Sequence, residues 1–274
     1  MLYHAKNGSL TFPDSTMDYI RFGTGSRVLV MLPGLGDGLR TTKGTALPMA
    51  VMYRMFARDF TVYAFSRKTL LPEGCTTRDM ARDLNTALEM LDIEKADLFG
   101  VSMGGMIAQH FAADYPQKTG KLILAVTCPE KNAIMEAAIS QWLQCADQND
   151  HTALMDSNLR LIYSQSYYQR NRWMIPFIGK LTKPRSYDRF RIQAMACLTH
   201  SSRHRLAQIQ AETLVIGGGQ DQVLGCQPSR DIAAGIPQAA LKLYPDWGHG
   251  VYEEAPDFNE TVLRFLTEDT ASEV

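Results

Sequence analysis

The chain has 274 residues, 45% of them hydrophobic and 21% charged, with a formal net charge of −1. That length suits one large α/β domain with room for an inserted subdomain, and the near-zero charge gives no global reason to expect nucleic acid or an anionic membrane as partner. Five scattered cysteines, Cys75, Cys128, Cys145, Cys197 and Cys226, form no C-x-x-C pair and read as reduced thiols, not as a disulfide framework or a zinc site. With no secretory pattern at Met1–Lys6 and no apolar run long enough to cross a bilayer, a cytoplasmic protein is expected.

In chain order, Leu2 to Lys6 and Met17 to Phe22 read as short strands separated by Asn7-Gly8 and Pro13-Asp14-Ser15 turn chemistry. Arg27 to Leu32 is a continuous apolar strand that runs into the glycine-rich Pro33-Gly34-Leu35-Gly36-Asp37-Gly38. A helix from about Pro48 to Ala57, a strand Phe60 to Phe65 and a helix capped by Thr77 and reaching about Leu91 follow. Then come a strand Ala96 to Phe99, a helix from Met103 to about Tyr115 and a strand Lys121 to Val126. Such alternation implies a parallel sheet with right-handed crossovers.

The rhythm changes after Pro129. Up to Leu206 only helical patterns appear, at Ala133 to Cys145, Thr152 to Ser164, Tyr168 to Ile178 and Tyr187 to His200. Alternation resumes with strand Thr213 to Ile216, helix Ser229 to Ala234, strand Ala240 to Tyr244 and helix Pro256 to Leu266. Residues 1–128 and 207–274 therefore form one core, and residues 129–206 are a helical lid inserted between two halves of its sheet.

Gly100-Val101-Ser102-Met103-Gly104 matches G-x-S-x-G, a strand-to-helix turn that lifts a serine hydroxyl clear of its backbone. The flanking glycines let strand and helix close up, and the helix amides behind Ser102 favour a developing negative charge. A serine needs a base, and the base needs a carboxylate to fix its tautomer. Of six histidines, His4, His110, His151, His200 and His204 fall in strands or helical segments; His249 lies in the glycine-flanked loop Pro245–Gly250 after a strand, where functional side chains gather. Asp221, after Gly217-Gly218-Gly219, leads as the carboxylate, with Asp246 and Glu130 as rivals. The backbone amides of Met103 and Leu35 are the expected oxyanion donors. The loop lacks the lysine of a phosphate-binding loop, and no H-E-x-x-H or Cys/His cluster points to a metal, so neither cofactor nor metal is expected.

Taken together, Gly34-Leu35-Gly36, Gly100–Gly104, Asp221 and His249, with the tail Asp246–Pro256, resemble the α/β-hydrolase fold family over essentially the whole chain. The resemblance implies a mostly parallel eight-stranded sheet flanked by helices, with an all-helical lid inserted after the sixth strand. Pro33-Gly34 replaces the His-Gly that many members carry in the oxyanion loop. Serine in place of aspartate at the nucleophile position argues against the dehalogenase and epoxide-hydrolase branches. The implied reaction is hydrolysis of a carboxylic ester of small to medium acyl size through an acyl-enzyme. C–C bond hydrolysis or lysis of a small keto compound is the alternative, and a weakly catalytic ligand-binding signalling protein of the same fold is a third reading.

Lid residues Trp142, Tyr163, Tyr167, Tyr168, Trp173, Met174, Phe177 and Met195 supply enough aromatic and Met surface to line an acyl pocket. Trp142, Tyr167, Trp173, Val223 and Val251 are the expected substrate contacts. Exposed lid aromatics would equally serve a homodimer contact. Between His151 and Arg205 stand ten Lys or Arg (160, 170, 172, 180, 183, 185, 189, 191, 203 and 205) against only Asp156 and Asp188. This pattern fits a solvated surface, or a lid that attracts an anionic small-molecule substrate.

Overall fold

A computed structural model describes residues 2–268. Met1 and residues 269–274, at the ends of the two core segments assigned above, lie outside the described residues. Eight strands form one sheet: β1 (Lys6–Thr11), β2 (Thr16–Phe22), β3 (Arg27–Leu32), β4 (Phe60–Lys68), β5 (Ala96–Val101), β6 (Thr119–Ala125), β7 (Thr213–Gly218) and β8 (Ala239–Tyr244). Their spatial order is β1-β2-β4-β3-β5-β6-β7-β8. β1 and β2 pair antiparallel with each other, β2 pairs antiparallel with β4, and β4 to β8 run parallel in that order. Because the central strands are covered on both faces, they read as unbroken apolar runs, as in Leu29–Leu32 and Leu122–Ala125.

The crossovers are α1 (Ala46–Met52), α2 (Thr77–Met90), α3 (Met103–Asp114) and α9 (Gln227–Gly235), with α10 (Val251–Glu254) and α11 (Phe258–Thr267) closing the chain. Between β6 and β7 stand α4 (Ala133–Asp147), α5 (His151–Ile162), α6 (Gln165–Asn171), α7 (Ile175–Leu181) and α8 (Asp188–Leu198). None of the described helices is long and apolar enough to cross a membrane.

Four expectations need correction. β1 begins at Lys6, where a strand had been expected to end: Gly8 lies inside it, pressed against the Tyr19 ring, and the Asn7 side chain accepts from the Gly44 amide instead of making a turn. The cap of α2 is Thr76, not Thr77, because Thr76 and Asp79 exchange bonds in a capping box. Thr77 is buried and bonds His200. The helix expected over Tyr168–Ile178 splits into α6, a 3-10 turn at Arg172–Met174, and α7; Pro176 has no amide to bond back and so sits in the first turn of a new helix.

A buried polar chain ties the end of the helical block to the helix behind Ser102. His200 Nδ1 lies 2.8 Å from Thr77 Oγ1, His200 Nε2 lies 3.1 Å from Ser202 Oγ, and Ser202 Oγ donates to Gln109 Oε1 at 2.7 Å. The ring of His110 packs edge-on against His200 at 5.1 Å. Burial pushes the imidazole pKa down to about 4 for His110 and about 3 for His200, from the ordinary 6.5. Above pH 6.5 both rings are neutral, folded or unfolded. Between pH 6.5 and about 4 only the unfolded chain takes up their protons, so the stability they confer drains away as pH falls, by up to about 1.4 kcal/mol per ring and pH unit. Urea melts should show the midpoint falling from pH 7 to pH 5, above the range where carboxylates dominate, and His110→Gln should flatten that slope. A midpoint unchanged over those two units would contradict the neutral-ring assignment.

Candidate active site

The register brings the pieces together. Leu32 at the end of β3 pairs with Gly100 of β5, so the loop that leaves β3 runs beside Ser102. Ser102 holds φ 54° and ψ −120°, a conformation that non-glycine residues seldom adopt and that is characteristic of functional turns. Its amide donates to Ala125 O at 2.9 Å, anchoring the turn on β6. A methyl group on Gly100 would stand 2.6 Å from Gly104 O, and one on Gly104 would collide with Leu32 O. Strand, turn and helix can close up only without those side chains.

Beyond β7, Asp221 is held by its neighbours. Its Oδ1 accepts from the amides of Val223 at 2.7 Å and Leu224 at 2.9 Å, and Oδ2 faces His249 Nδ1 at 2.8 Å. Gly218 and Gly219 allow this contact: a Cβ on either would meet the backbone of the Pro245–Gly248 loop that carries His249. With Nδ1 committed to an acceptor-only carboxylate, Nε2 is left as the ring's proton acceptor. His249 is only 3% exposed, yet both it and Ser102 line one cavity of about 340 Å³. The rival carboxylates stand elsewhere. Glu130 pairs with Arg203 at 2.6 Å, and Asp246 is exposed.

Gly34 passes within van der Waals reach of the nucleophile, since a Cβ there would lie 3.8 Å from Ser102 Oγ. Leu35 and Met103 each occupy the first position of a helical turn, and among the described residues neither amide has an acceptor.

The five expected substrate contacts separate. Trp142 lines the cavity. Tyr167 lines a neighbouring space of about 410 Å³ within the helical block, which shares Gly36, Asn158 and Ile162 with the first. Trp173, in the 3-10 turn before α7, is 66% exposed and borders neither. Val223 is buried and serves through its amide, and Val251 is wholly buried among the core residues under α10, so neither wall includes them. Chain order alone missed Tyr53, Asn158, Tyr252 and Glu253, which do line the cavity. Only Tyr252 and Glu253, three and four residues after His249, stood close enough in sequence to the predicted triad to be found.

Glu253 accepts from the Tyr163 hydroxyl at 2.6 Å, and the following Glu254 accepts from Ser164 at 2.6 and 2.8 Å. The Gly250 amide donates to Ile162 O at 2.6 Å. The helical block is thus bonded directly to the segment that carries His249. Glu253 keeps accessible surface on the cavity wall while protein atoms crowd it on most sides, and this desolvation raises its carboxyl pKa, with the Glu254 charge adding to the rise.

No lysine or arginine lines the cavity among the described residues. Of the basic residues that suggested an anionic substrate, Arg189 bonds the buried Asp37, Arg191 pairs with Asp147 and Asp188, Arg203 with Glu130 and Asp231, and Arg205 with Asp114. The others are exposed. A shallow groove of about 590 Å³ at the opposite ends of β3, β5, β6 and β7 contains Asp97, tied by Arg27 and by the Lys121 amide.

Comparison with known proteins agrees with this architecture. The chain is 28% identical over 193 residues, 68% of each chain, to a 2-hydroxy-6-oxononadienedioate/2-hydroxy-6-oxononatrienedioate hydrolase of Comamonas testosteroni. It is 25% identical over 265 residues, 93% of each chain, to a hydrolase of the same description from Pseudomonas putida. The structure of MGS-M2, an alpha/beta hydrolase enzyme from a Medee basin deep-sea metagenome library, superposes with a TM-score of 0.86 at 22% identity, covering 97% of this chain and 99% of that one. A family model described as alpha/beta hydrolase fold matches residues 27–256, so the chain belongs to the alpha/beta hydrolase family.

Proposed function

We infer that this hydrolase cleaves uncharged carboxylic esters with a small to medium apolar acyl group, through a covalent intermediate on Ser102. The observation that carries the reading is the cavity itself. Ser102, His249 and Leu35 line it together, the Met103 amide follows Ser102 in the chain, and the rest is largely apolar, with Met31, Leu32, Met49, Met52, Phe99 and Trp142. Its volume, about 340 Å³, falls at the small end of the roughly 300–1,000 Å³ of ligand pockets.

In this mechanism Ser102 Oγ attacks the ester carbonyl as His249 Nε2 takes its proton, and Asp221 stabilises the imidazolium. The tetrahedral oxyanion accepts from the two amides. Its collapse expels the alcohol, which receives the proton from His249. Water, deprotonated by the same ring, then attacks the acyl carbon and releases the acid, restoring Ser102.

A second reading, hydrolysis of a C–C bond in a keto acid, is favoured by the sequence relatives, which carry that description. Those substrates are dianions by name, whereas this cavity offers no lysine or arginine among the described residues and presents the Glu253 carboxylate. A carboxylate on the cavity wall disfavours a substrate that brings further negative charge to it. A panel should therefore show turnover of p-nitrophenyl acetate and butyrate, with kcat/KM at least about tenfold above that of an ester bearing a carboxylate on its acyl chain. Glu253→Gln should narrow that gap. Efficient turnover of a dienol keto-diacid with inert neutral esters would establish the second reading and overturn the first.

A further inference from the structure

Among the described residues, the outer face of the 3-10 turn Arg172–Met174 and of the α7 helix that continues it has no partner. Trp173, Phe177 and Leu181, four residues apart, are 66%, 71% and 88% exposed. The opposite side of the same segment is packed: Ile175 is buried, Gly179 lies against Thr152 of α5, and Met174, Ile175 and Ile178 line the 410 Å³ space that adjoins the catalytic cavity. A segment apolar on both sides yet covered on one is out of balance for a protein surrounded by water.

The charges around it are equally one-sided. From Ser157 to Tyr187 the chain carries Arg160, Arg170, Arg172, Lys180, Lys183 and Arg185 and no aspartate or glutamate. All six cations are exposed, and among the described residues none forms an ion pair. With six positive charges concentrated in this stretch, the overall −1 leaves −7 for the rest of the chain. The bulk charge therefore hides a strongly dipolar surface.

We propose that the α7 face, from Arg170 to Arg185, docks onto an anionic lipid surface, with Trp173, Phe177 and Leu181 entering the headgroup boundary and the flanking cations meeting the lipid phosphates. Indole and phenyl rings set among Lys and Arg are the composition that binds such an interface, where each cation adds to the attraction and each buried apolar group to the hold. A second copy of this chain fits less well, because an isologous contact through this face would bring six unpaired cations against six. Docking there would put the 410 Å³ space, and through Gly36, Asn158 and Ile162 the catalytic cavity, directly behind the lipid-facing helix. The inference is independent of which bond the site cleaves.

Flotation of the full chain with vesicles tests it. Binding is expected to phosphatidylcholine vesicles containing about one-third phosphatidylglycerol at low salt, and at least about tenfold weaker binding to phosphatidylcholine alone or with added salt near 0.5 M. Phe177→Ser with Leu181→Ser, and separately Lys180→Glu with Lys183→Glu and Arg185→Glu, should each weaken binding to the anionic vesicles about tenfold or more. The thermal melts of both variants should stay close to the parent's, since every substituted side chain is exposed. A parent chain that stays unbound at low salt would overturn the proposal, as would variants that bind like the parent. So would a dimer in sedimentation that the apolar variant dissolves while vesicle binding is unchanged.

Discussion

Ser102→Ala should abolish turnover, lowering kcat by roughly four to six orders of magnitude while leaving the fold intact. The hydroxyl is spent on no structural bond among the described residues, whereas the turn around it is secured by the Ala125 carbonyl and by Gly100 and Gly104. His249→Ala should do the same damage, and the two losses should not add, because nucleophile and base act on one proton. Asp221→Asn should cost about 10⁴-fold by presenting a donor to Nδ1 and so favouring the wrong tautomer. Ser102→Gly gives an internal control. It should be as inactive as the alanine variant but more stable by about 1 kcal/mol, since glycine tolerates the φ of 54°. Active-site titration and urea melts on the four proteins check all of this. Residual activity within tenfold of the parent in Ser102→Ala would remove the serine from the reaction.

Arg189→Met should destabilise the fold by about 3 kcal/mol, because the buried Asp37 carboxylate would keep only the more distant Arg67 guanidinium, at 3.8 Å, as counter-ion. Asp37 directly follows the oxyanion loop, and its side chain is wholly buried. Arg189 reaches in from α8 and places Nη2 2.5 Å from Asp37 Oδ2, donates to Arg67 O and Lys68 O at 3.0 Å, and bonds the Asp37 carbonyl. Arg67 donates from beneath to Pro33 O at 2.5 Å. One guanidinium thus joins the helical block, β4 and the loop that carries Leu35. Lysine keeps the charge but has no planar fork to serve these acceptors together, so Arg189→Lys should recover less than half of the loss. Denaturant midpoints decide the matter; a loss below about 1 kcal/mol for Arg189→Met would show that the clamp carries little. The same variant should lower kcat more than it raises KM, because the Leu35 amide is fixed through Asp37.

The strand-helix alternation was legible because buried parallel strands are unbroken apolar runs and the crossover helices carry clear apolar stripes, as α2 does. Ser102, Asp221 and His249 could be singled out because each follows a strand, where a parallel sheet gathers functional loops. What pattern reasoning could not supply was the direction in which side chains of the helical block face. Trp142 and Trp173 look alike in sequence, and only the packing of α4 and of the 3-10 turn before α7 turns one inward and the other out. Val223 and Val251 stand two residues from Asp221 and His249 in sequence yet are withdrawn into backbone support and core. Asn7-Gly8 has the chemistry of a turn, but pairing with β2 overrides it. The basic stretch was visible as composition; that its cations face outward and not into the cavity was not.

The most direct measurement is mass-spectrometric mapping of the adduct formed with a neutral alkyl fluorophosphonate. The account predicts one adduct per chain, on the peptide that contains Ser102, formed fast in the parent and at least about a thousandfold slower in His249→Ala. Steady ester turnover with Ser102 unmodified, or an equal labelling rate without His249, would contradict it.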